Sequence, residues 1–200
     1  MKEILLTKLR DKHTSLAEFR SVAQEMAELI AAEAAKTIPS KRVRVETTLS
    51  FAEGAVPEGR VILVSILRTG LIFLPAFLKL FPDAPIGIFG IRRDEETAKP
   101  HLYYENLPKL LPTDHIFLLD PMIATAGSSI MAIERLIREV SPNQITLVGI
   151  ISATPGIANL KSRFPTVRVI TAREDPELNA QSFIVPGLGD FGDRFFGTTV

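Results

Sequence analysis

The sequence predicts an α/β fold built on a doubly wound, mostly parallel sheet. Short apolar runs rich in β-branched residues are nearly continuous in hydrophobicity, as in strands that are buried on both faces. Helical patterns alternate with these runs, which is typical of a parallel sheet with helices on both sides. Because 46% of the 200 residues are hydrophobic, we expect one domain spanning residues 1–200. The runs are Val61–Ile66, Ile86–Ile91, Ile116–Leu119 and Ile145–Ile151.

The first elements in chain order are a helix and an exposed strand. Ser15 and Glu18 have the spacing of a capping box, and apolar residues then recur at helical period until Pro39. This pattern predicts an amphipathic opening helix. Apolar and polar residues alternate from Val43 to Leu49, which predicts a half-exposed strand or the arm of a hairpin.

The helices expected between and after the buried strands are Leu71–Phe81, Ser128–Val140 and Pro155–Phe164, and a further short strand is expected at Val167–Thr171. Residues 92–114 are charged, rich in proline and without period, and they are longer than an ordinary connection. We expect a flexible, functional flap or hairpin arm there. The glycine-rich segment from Pro186 onward shows no core pattern.

Composition excludes several classes of function. The 23 basic residues balance the 23 acidic ones, whereas a general nucleic-acid binder needs a basic excess. With no cysteine, the chain has no disulfides, thiolate zinc sites or cysteine nucleophile, and a cytoplasmic location fits. The start of the chain does not resemble a signal peptide, and the long apolar stretch 61–81 carries Arg68 in mid-span. We therefore expect no membrane or nucleic-acid partner.

The residues that follow the predicted strands are candidates for a ligand site, because open parallel sheets bind ligands beyond the carboxyl ends of their strands. Arg68 follows the first buried strand, Arg92 and Arg93 follow the second, and residues 120–129 follow the third. Small residues and hydroxyls at a helix N-terminus bind phosphate, and Asp120 could accept hydrogen bonds from sugar hydroxyls. Each feature also has a simpler interpretation, since Arg68 could be a surface or capping group and Thr125–Ser129 only a helix cap.

Other catalytic motifs are rejected. Gly187, Gly189 and Gly192 spell G-x-G-x-x-G, but no βαβ unit follows them, so a dinucleotide site is not predicted. The sequence contains no Walker A motif, no H-E-x-x-H and no G-x-S-x-G. The three histidines have no ligand spacing, and no nucleophile is paired with a base.

Four segments together resemble the uracil phosphoribosyltransferase family. Residues 118–128 (LLDPMIATAGS) resemble its phosphoribosyl-diphosphate loop, and residues 66–71 (ILRTGL) its diphosphate-binding segment. Residues 93–97 (RDEET) are similar to its arginine-bearing flap. Residues 184–198 (IVPGLGDFGDRFFGT), the most specific match, resemble its uracil-binding signature. The resemblance implies a type I phosphoribosyltransferase fold and runs from about the opening helix to the C-terminus.

The resemblance implies that uracil and 5-phospho-α-D-ribose 1-diphosphate (PRPP) are converted to UMP and diphosphate. Mg²⁺ is the implied cofactor, held mainly by the diphosphate and not by protein ligands. Displacement at the anomeric carbon needs positioning and charge stabilisation rather than a protein nucleophile, which agrees with the missing triad. The implied catalytic residues are Arg68 and Asp190. The implied PRPP-binding residues are Arg68, Arg93, Asp120, Pro121, Met122, Ile123, Ala124, Thr125, Ala126, Gly127, Ser128 and Asp190, and the implied uracil-binding residues are Ile184, Gly189, Asp190 and Phe191.

Departures from the family pattern and other functions stay open at this point. Ala126 stands where the family usually has Gly, and a left-handed backbone there would cost an alanine about 1–2 kcal/mol. Two alternatives are a non-catalytic regulator that binds PRPP or UMP and a transferase for another oxo-base. The family commonly forms homodimers or homotetramers, which is the expected assembly.

Overall fold

The computed structural model describes residues 1–93 and 100–198. The first half contains α1 (Lys2–Arg10), α2 (Leu16–Ala35), β1 (Ser40–Glu46), β2 (Phe51–Pro57), β3 (Val61–Leu67), a 3₁₀ turn (Thr69–Phe73), α3 (Leu74–Leu80), β4 (Ile86–Arg93) and β5 (Pro100–Asn106). The second half contains β6 (His115–Leu119), β7 (Met122–Ile123), α4 (Gly127–Leu136), a 3₁₀ turn (Pro142–Gln144), β8 (Ile145–Val148), β9 (Ile151–Ala153), α5 (Thr154–Arg163), β10 (Arg168–Ile170), β11 (Arg173–Asp175), β12 (Glu177–Leu178), β13 (Ile184–Val185) and α6 (Phe191–Phe196).

A six-stranded sheet in the order β10-β8-β6-β3-β4-β5 forms the centre of the fold. Every neighbouring pair is parallel except β4 and β5, which run antiparallel. The predicted mostly parallel α/β sheet is therefore confirmed. The antiparallel strand β5 occupies part of the segment expected to be a flap or hairpin arm, while residues 94–99 of that segment lie outside the described residues.

A second, three-stranded parallel sheet has the order β11-β9-β7, and its strands follow β10, β8 and β6 of the central sheet along the chain. The single strand predicted for Ile145–Ile151 is wrong, because it divides into β8 and β9 at Gly149. A Cβ on Gly149 would lie 2.9 Å from Ile123 Cδ1 and 3.0 Å from the Asp120 carbonyl oxygen, so only glycine fits this close approach. The Gly149 N–H donates to Ile170 O at 2.9 Å and leaves the regular ladder.

Two hydrophobic layers cover the central sheet, one on each face. Alternating side chains of β3 point to opposite layers, so that Leu63 packs with α2 and α3 while Ile62 packs with α4 and α5. Phe117 belongs to the first layer, with its ring centroid 4.9 Å from that of Phe77 in α3. This arrangement explains the continuous hydrophobicity of the strands.

The opening helix was predicted correctly, and a shorter helix precedes it. Ser15 caps α2, accepting a hydrogen bond from the Glu18 N–H at 3.3 Å. Helix α1 was not predicted, although Leu5, Leu6 and Leu9 lie on one of its faces and are buried in the first layer. With nine residues, α1 depends on this packing more than on its own helix propensity.

Two helix boundaries differ from the prediction. The helix expected at 71–81 begins as a 3₁₀ turn and becomes α-helical only at Leu74, just before Pro75. The helix expected at 128–140 ends at Leu136. The tail shows no core pattern in the sequence, yet Leu188 and Phe191 are buried in the first layer and α6 follows Asp190.

An ion pair at the opposite end of the sheet from the strand carboxyl ends ties β3 to β6. Arg60 donates to both carboxylate oxygens of Asp114, at 2.9 and 2.6 Å, and the Leu111 N–H donates to Asp114 at 2.7 Å. Burial opposes ionisation of Asp114, but the hydrogen bonds from Arg60 and Leu111 outweigh it and lower the pKa of this carboxyl.

Within the described residues, no helix has the length and apolar character needed to cross a bilayer.

Candidate functional site

Arg68 stands at the carboxyl end of β3, the central strand whose side chains are buried on both faces. The Leu67–Arg68 peptide bond is cis, and a 3₁₀ turn begins at the next residue. The Arg68 guanidinium carbon lies 4.9 Å from the ring centroid of Phe196 in α6. This cation–π contact connects the loop after β3 with the last helix of the chain.

The loop after β6 supplies a buried carboxylate and the N-terminus of α4. Asp120 is 8% exposed, and its carboxylate accepts hydrogen bonds from the Ser129 hydroxyl at 3.2 Å and the Met122 N–H at 3.5 Å. Ala126, the residue before α4, has φ 61° and ψ 9° in the left-handed region. The left-handed backbone considered from the sequence is therefore present at this alanine.

Helix α5 supports the same loop from below. The Asn159 side-chain amide donates to the Thr125 carbonyl at 3.1 Å. A Cβ on Gly156 would lie only 1.9 Å from the Ala124 carbonyl oxygen, so the helix approaches the loop backbone as closely as a glycine allows. The position of residues 124–125 thus depends on α5.

The C-terminal segment forms another wall of the site. Asp190 caps α6 by accepting a hydrogen bond from the Asp193 N–H at 2.9 Å. The next residue, Phe191, is 1% exposed, and its ring centroid lies 5.3 Å from that of Phe19 in α2. The packing of Phe191 fixes the start of α6, so that Asp190 faces the loops after β3 and β6.

These loops and the C-terminal segment surround one cavity of about 750 Å³. Both predicted catalytic residues, Arg68 and Asp190, line it, and Arg92 also lines it. The side chain of Arg93 lies outside the described residues. The predicted residues that line the cavity are Arg68, Asp120, Met122, Ala124, Ser128, Ile184, Gly189, Asp190 and Phe191.

The remaining predicted loop residues lie between these lining positions without forming the cavity wall. Ile123 is fully buried in the hydrophobic layer of α4 and α5, and Ala126 is 3% exposed in the same layer. Pro121, Thr125 and Gly127 complete the turn from β6 to α4. Because these two side chains are buried, Ile123 and Ala126 could contact a ligand in the cavity only through their backbone atoms.

Several site residues were missed by sequence reasoning. Ser129 orients Asp120, and Asn159 holds the loop carbonyl, although neither was assigned a role. Residues 181–183, in the tight connection between β12 and β13, also line the cavity. Ser182 has φ 64°, and Phe183 is 45% exposed. Ser129 belongs to the segment 120–129 that follows the third predicted strand, but nothing in the sequence marked residues 181–183 as part of a site.

The charges of the cavity suit a phosphorylated, hydroxyl-bearing ligand. Arg68 and Arg92 bring guanidinium groups to it, which can donate two parallel hydrogen bonds to phosphate oxygens. Asp120, Asp190 and Asp193 bring carboxylates that can accept from hydroxyls or from metal-bound water. In the part of the chain that the structure describes, no three acidic or histidine side chains are grouped to hold a metal ion by themselves.

Comparisons with known proteins agree in family and fold. A family model described as uracil phosphoribosyltransferase matches residues 2–198. A uracil phosphoribosyltransferase of Dictyoglomus thermophilum is 43% identical over 194 residues, covering 96% of this chain and 93% of that protein. One from Corynebacterium efficiens is 41% identical over 192 residues, covering 96% and 90%.

Solved structures agree with this fold. A protein structure from Aquifex aeolicus superimposes with a TM-score of 0.90 at 31% identity, covering 100% of this chain and 95% of that one. An APRTase from Giardia lamblia in complex with 9-deazaadenine has a TM-score of 0.53 at 15% identity, covering 78% and 81%, and shares the fold alone.

Proposed function

The chain belongs to the uracil phosphoribosyltransferase family, and from that premise we propose how its single domain converts uracil and PRPP to UMP and diphosphate. In this transfer the bond between C1 of the ribose and the diphosphate oxygen breaks, a bond from uracil N1 to C1 forms, and the proton on N1 passes to the departing diphosphate or to water. The observation that carries the proposal is the meeting of Arg68, Asp120 and Asp190, from three distant parts of the sequence, in one cavity. Its volume of about 750 Å³ falls within the usual range for small-molecule sites.

Arg68 is assigned to the diphosphate, together with Arg93 by family resemblance. The Arg68 guanidinium already rests against Phe196 at the cavity edge, which restricts its orientation before substrate arrives. An oriented guanidinium stabilises the negative charge that develops on the leaving diphosphate without reorganising during the reaction. Arg92, which lines the cavity, is a second candidate for this contact.

The loop from Asp120 to Ser128 is assigned to the phosphoribosyl group. The N–H groups at the start of α4 and the hydroxyl of Ser128, which lines the cavity, suit the 5′-phosphate, and family resemblance adds Thr125. Asp120 is assigned to the ribose hydroxyls, because Ser129 holds its carboxylate at the cavity wall. Holding the sugar in this way presents C1 to the incoming base.

Uracil is assigned to the C-terminal segment. The edge of uracil alternates hydrogen-bond donors and acceptors. Backbone groups of Ile184, Gly189 and Phe191 can complement this edge, because glycine has no side chain that would cover its own backbone. Gly189 has φ 80°, a conformation that L-residues rarely adopt, and it lines the cavity. Asp190, between Gly189 and Phe191 in the sequence, is assigned by family resemblance to the diphosphate and its magnesium-bound water as well.

Magnesium is assigned to the substrate rather than to a protein cage. Mg²⁺ keeps several waters and usually takes one or two carboxylates together with substrate phosphates. Asp190 and Asp193 on the cavity wall fit this donor set, through water or directly. When bound, the ion neutralises charge on the diphosphate oxygens.

Assembly as a homodimer or homotetramer is also proposed. The hairpin of β1 and β2 stands out from the domain, with Val45 43% and Val56 37% exposed. Val43, Val45 and Val56 lie on one of its faces, and a lone two-stranded hairpin is marginally stable in water. Packing of this face against another copy would remove the exposed apolar surface.

Labelled uracil, PRPP and Mg²⁺ are expected to give UMP, while hypoxanthine and orotate give no nucleotide. Arg68→Ala serves as the matched inactive control, and EDTA is expected to stop turnover. UMP binding without any turnover would instead favour a regulator, and turnover of another oxo-base would reassign the substrate.

A further inference from the structure

The glycine-rich segment is held from behind by residues outside the cavity. Gly187 has φ 60°, and a Cβ there would lie 2.0 Å from the Ile184 carbonyl oxygen, so the backbone folds tightly back on itself. Residues 186–189 belong to no strand or helix and therefore lack the hydrogen bonds of a regular ladder. Side chains from α1, β11 and α6 supply hydrogen bonds instead.

Arg10 and Asp175 bind both polar backbone groups of Gly187. Arg10, at the end of α1, forms a two-pronged ion pair with Asp175 of β11, with N–O distances of 2.6 and 3.0 Å. The same guanidinium donates to the Gly187 carbonyl at 2.9 Å, and the Gly187 N–H donates to Asp175 Oδ2 at 3.0 Å. The Asp175 side chain is 3% exposed and that of Arg10 is 23% exposed, so the carboxylate of this network is shielded from solvent.

Arg194 of α6 makes a second set of contacts to the same segment. It donates to the Leu188 carbonyl at 2.8 Å, to the Asp11 carbonyl at 2.6 Å and to the Leu9 carbonyl. Its guanidinium lies 4.3 Å from the ring centroid of Phe19. Burial lowers the pKa of Arg194 from its ordinary value, and the nearby Asp11 carboxylate opposes this change.

We propose that Arg10, Asp175 and Arg194 are positioning residues that fix the backbone of Gly187 and Leu188 and thereby set the affinity of the enzyme for uracil. None of the three lines the main cavity. They act through the segment that leads directly into Gly189, whereas the phosphoribosyl contacts, apart from that of Asp190, are assigned to the loops after β3 and β6. The inference rests on the proposed function, in which this segment reads the base.

Two substitutions at Arg10 and one control variant test the proposal. Arg10→Ala removes the bonds to Asp175 and Gly187, while Arg10→Lys keeps the charge but not the planar fork. The control is Arg173→Ala, which removes an ion pair with Glu3 at 3.5 Å. That pair also joins β11 to α1, but its members are 55% and 74% exposed and do not contact Gly187.

Steady-state kinetics with each substrate varied in turn, together with Tm, provide the measurement. Arg10→Ala is expected to raise KM for uracil about tenfold, which corresponds to about 1.4 kcal/mol, and KM for PRPP less than about twofold. Arg10→Lys is expected to show a smaller rise of the same kind, and it decides the question if Arg10→Ala does not fold. Arg173→Ala is expected to leave both KM values unchanged.

The proposal is overturned if the Arg10 variants leave KM for uracil unchanged, or if both KM values rise together as Tm falls. It is also overturned if Arg173→Ala produces the same rise as Arg10→Ala. Because the wild-type chain is assayed first, its failure to form UMP would count against the proposed function and not against the hydrogen-bond network.

Discussion

Gly156 allows a sharp test of how α5 supports the phosphoribosyl loop. In Gly156→Ala, the new Cβ would lie 1.9 Å from the Ala124 carbonyl oxygen and 2.9 Å from its carbon, where ordinary contact begins at 3.4 Å. Both atoms belong to the backbone, so no side-chain rotation relieves the overlap. Either α5 or the loop must therefore move by about 1 Å or more, as expected when a core is overpacked.

The cost of this shift differs between stability and activity. Overpacking costs about 1–3 kcal/mol, while alanine in place of glycine regains about 1 kcal/mol of helix propensity. We expect a net loss of about 1 kcal/mol and a Tm lower by about 2–4 °C. Displacement of the Ala124 backbone by about 1 Å can cost 100-fold in rate, so kcat/KM for PRPP should fall at least tenfold.

The assay is UMP formation with PRPP varied at saturating uracil, with Tm followed by calorimetry. Gly54→Ala is the activity control, because a Cβ there finds only ordinary contacts from 3.5 Å within the chain and Gly54 does not line the cavity, so kcat/KM for PRPP should barely change. If Gly156→Ala retains both the wild-type Tm and the wild-type kcat/KM for PRPP, the reasoning about this helix–loop contact is refuted.

Three further predictions concern an ion pair, an aromatic contact and a strained alanine. Because the pKa of Asp114 is lowered in the folded protein, its pairing with Arg60 stabilises the fold at neutral pH, and this stabilisation is lost as the pH falls through the lowered pKa. Asp114→Asn should therefore have a lower Tm at neutral pH and a flatter Tm profile between about pH 5 and pH 3. A profile as steep as that of the wild type would contradict this. Phe196→Leu removes the ring beside Arg68, so KM for PRPP should rise about 3–10-fold with KM for uracil unchanged, and an unaltered KM for PRPP would count against the contact. Ala126→Gly relieves about 1–2 kcal/mol of left-handed strain, but it loses a buried methyl worth about 0.8 kcal/mol and raises the conformational entropy of the unfolded chain. Tm should therefore stay within a few degrees of the wild-type value, and PRPP affinity should be preserved or improved. A large loss of affinity would contradict the geometry of this loop.

The central sheet was predictable because burial on both faces leaves a continuous apolar signal. Residues 61–66 and 116–119 show it plainly, and the structure places strands there. Arg68 and Asp120 could then be placed at one edge of the sheet by topology alone, and both line the cavity.

Features that depend on close packing between distant segments were not predictable. The division of a strand at Gly149 follows from its approach to Ile123 and Asp120, which the local pattern does not show. Ser129 resembled any polar residue of a first helical turn until its hydroxyl was found beside Asp120. Helix α1 was missed because three leucines in nine residues are too few to establish a period.

The presence of a small three-stranded sheet beside the six-stranded one has a consequence for hydrogen exchange. The strands β7, β9 and β11 have only two or three residues each, so their amides depend on a small ladder next to the cavity. Such a unit can open locally while β3, β6 and β8 stay protected by the larger sheet. Deuterium uptake in β7, β9 and β11 should therefore slow when nucleotide binds, and uptake in β3, β6 and β8 should follow only global unfolding.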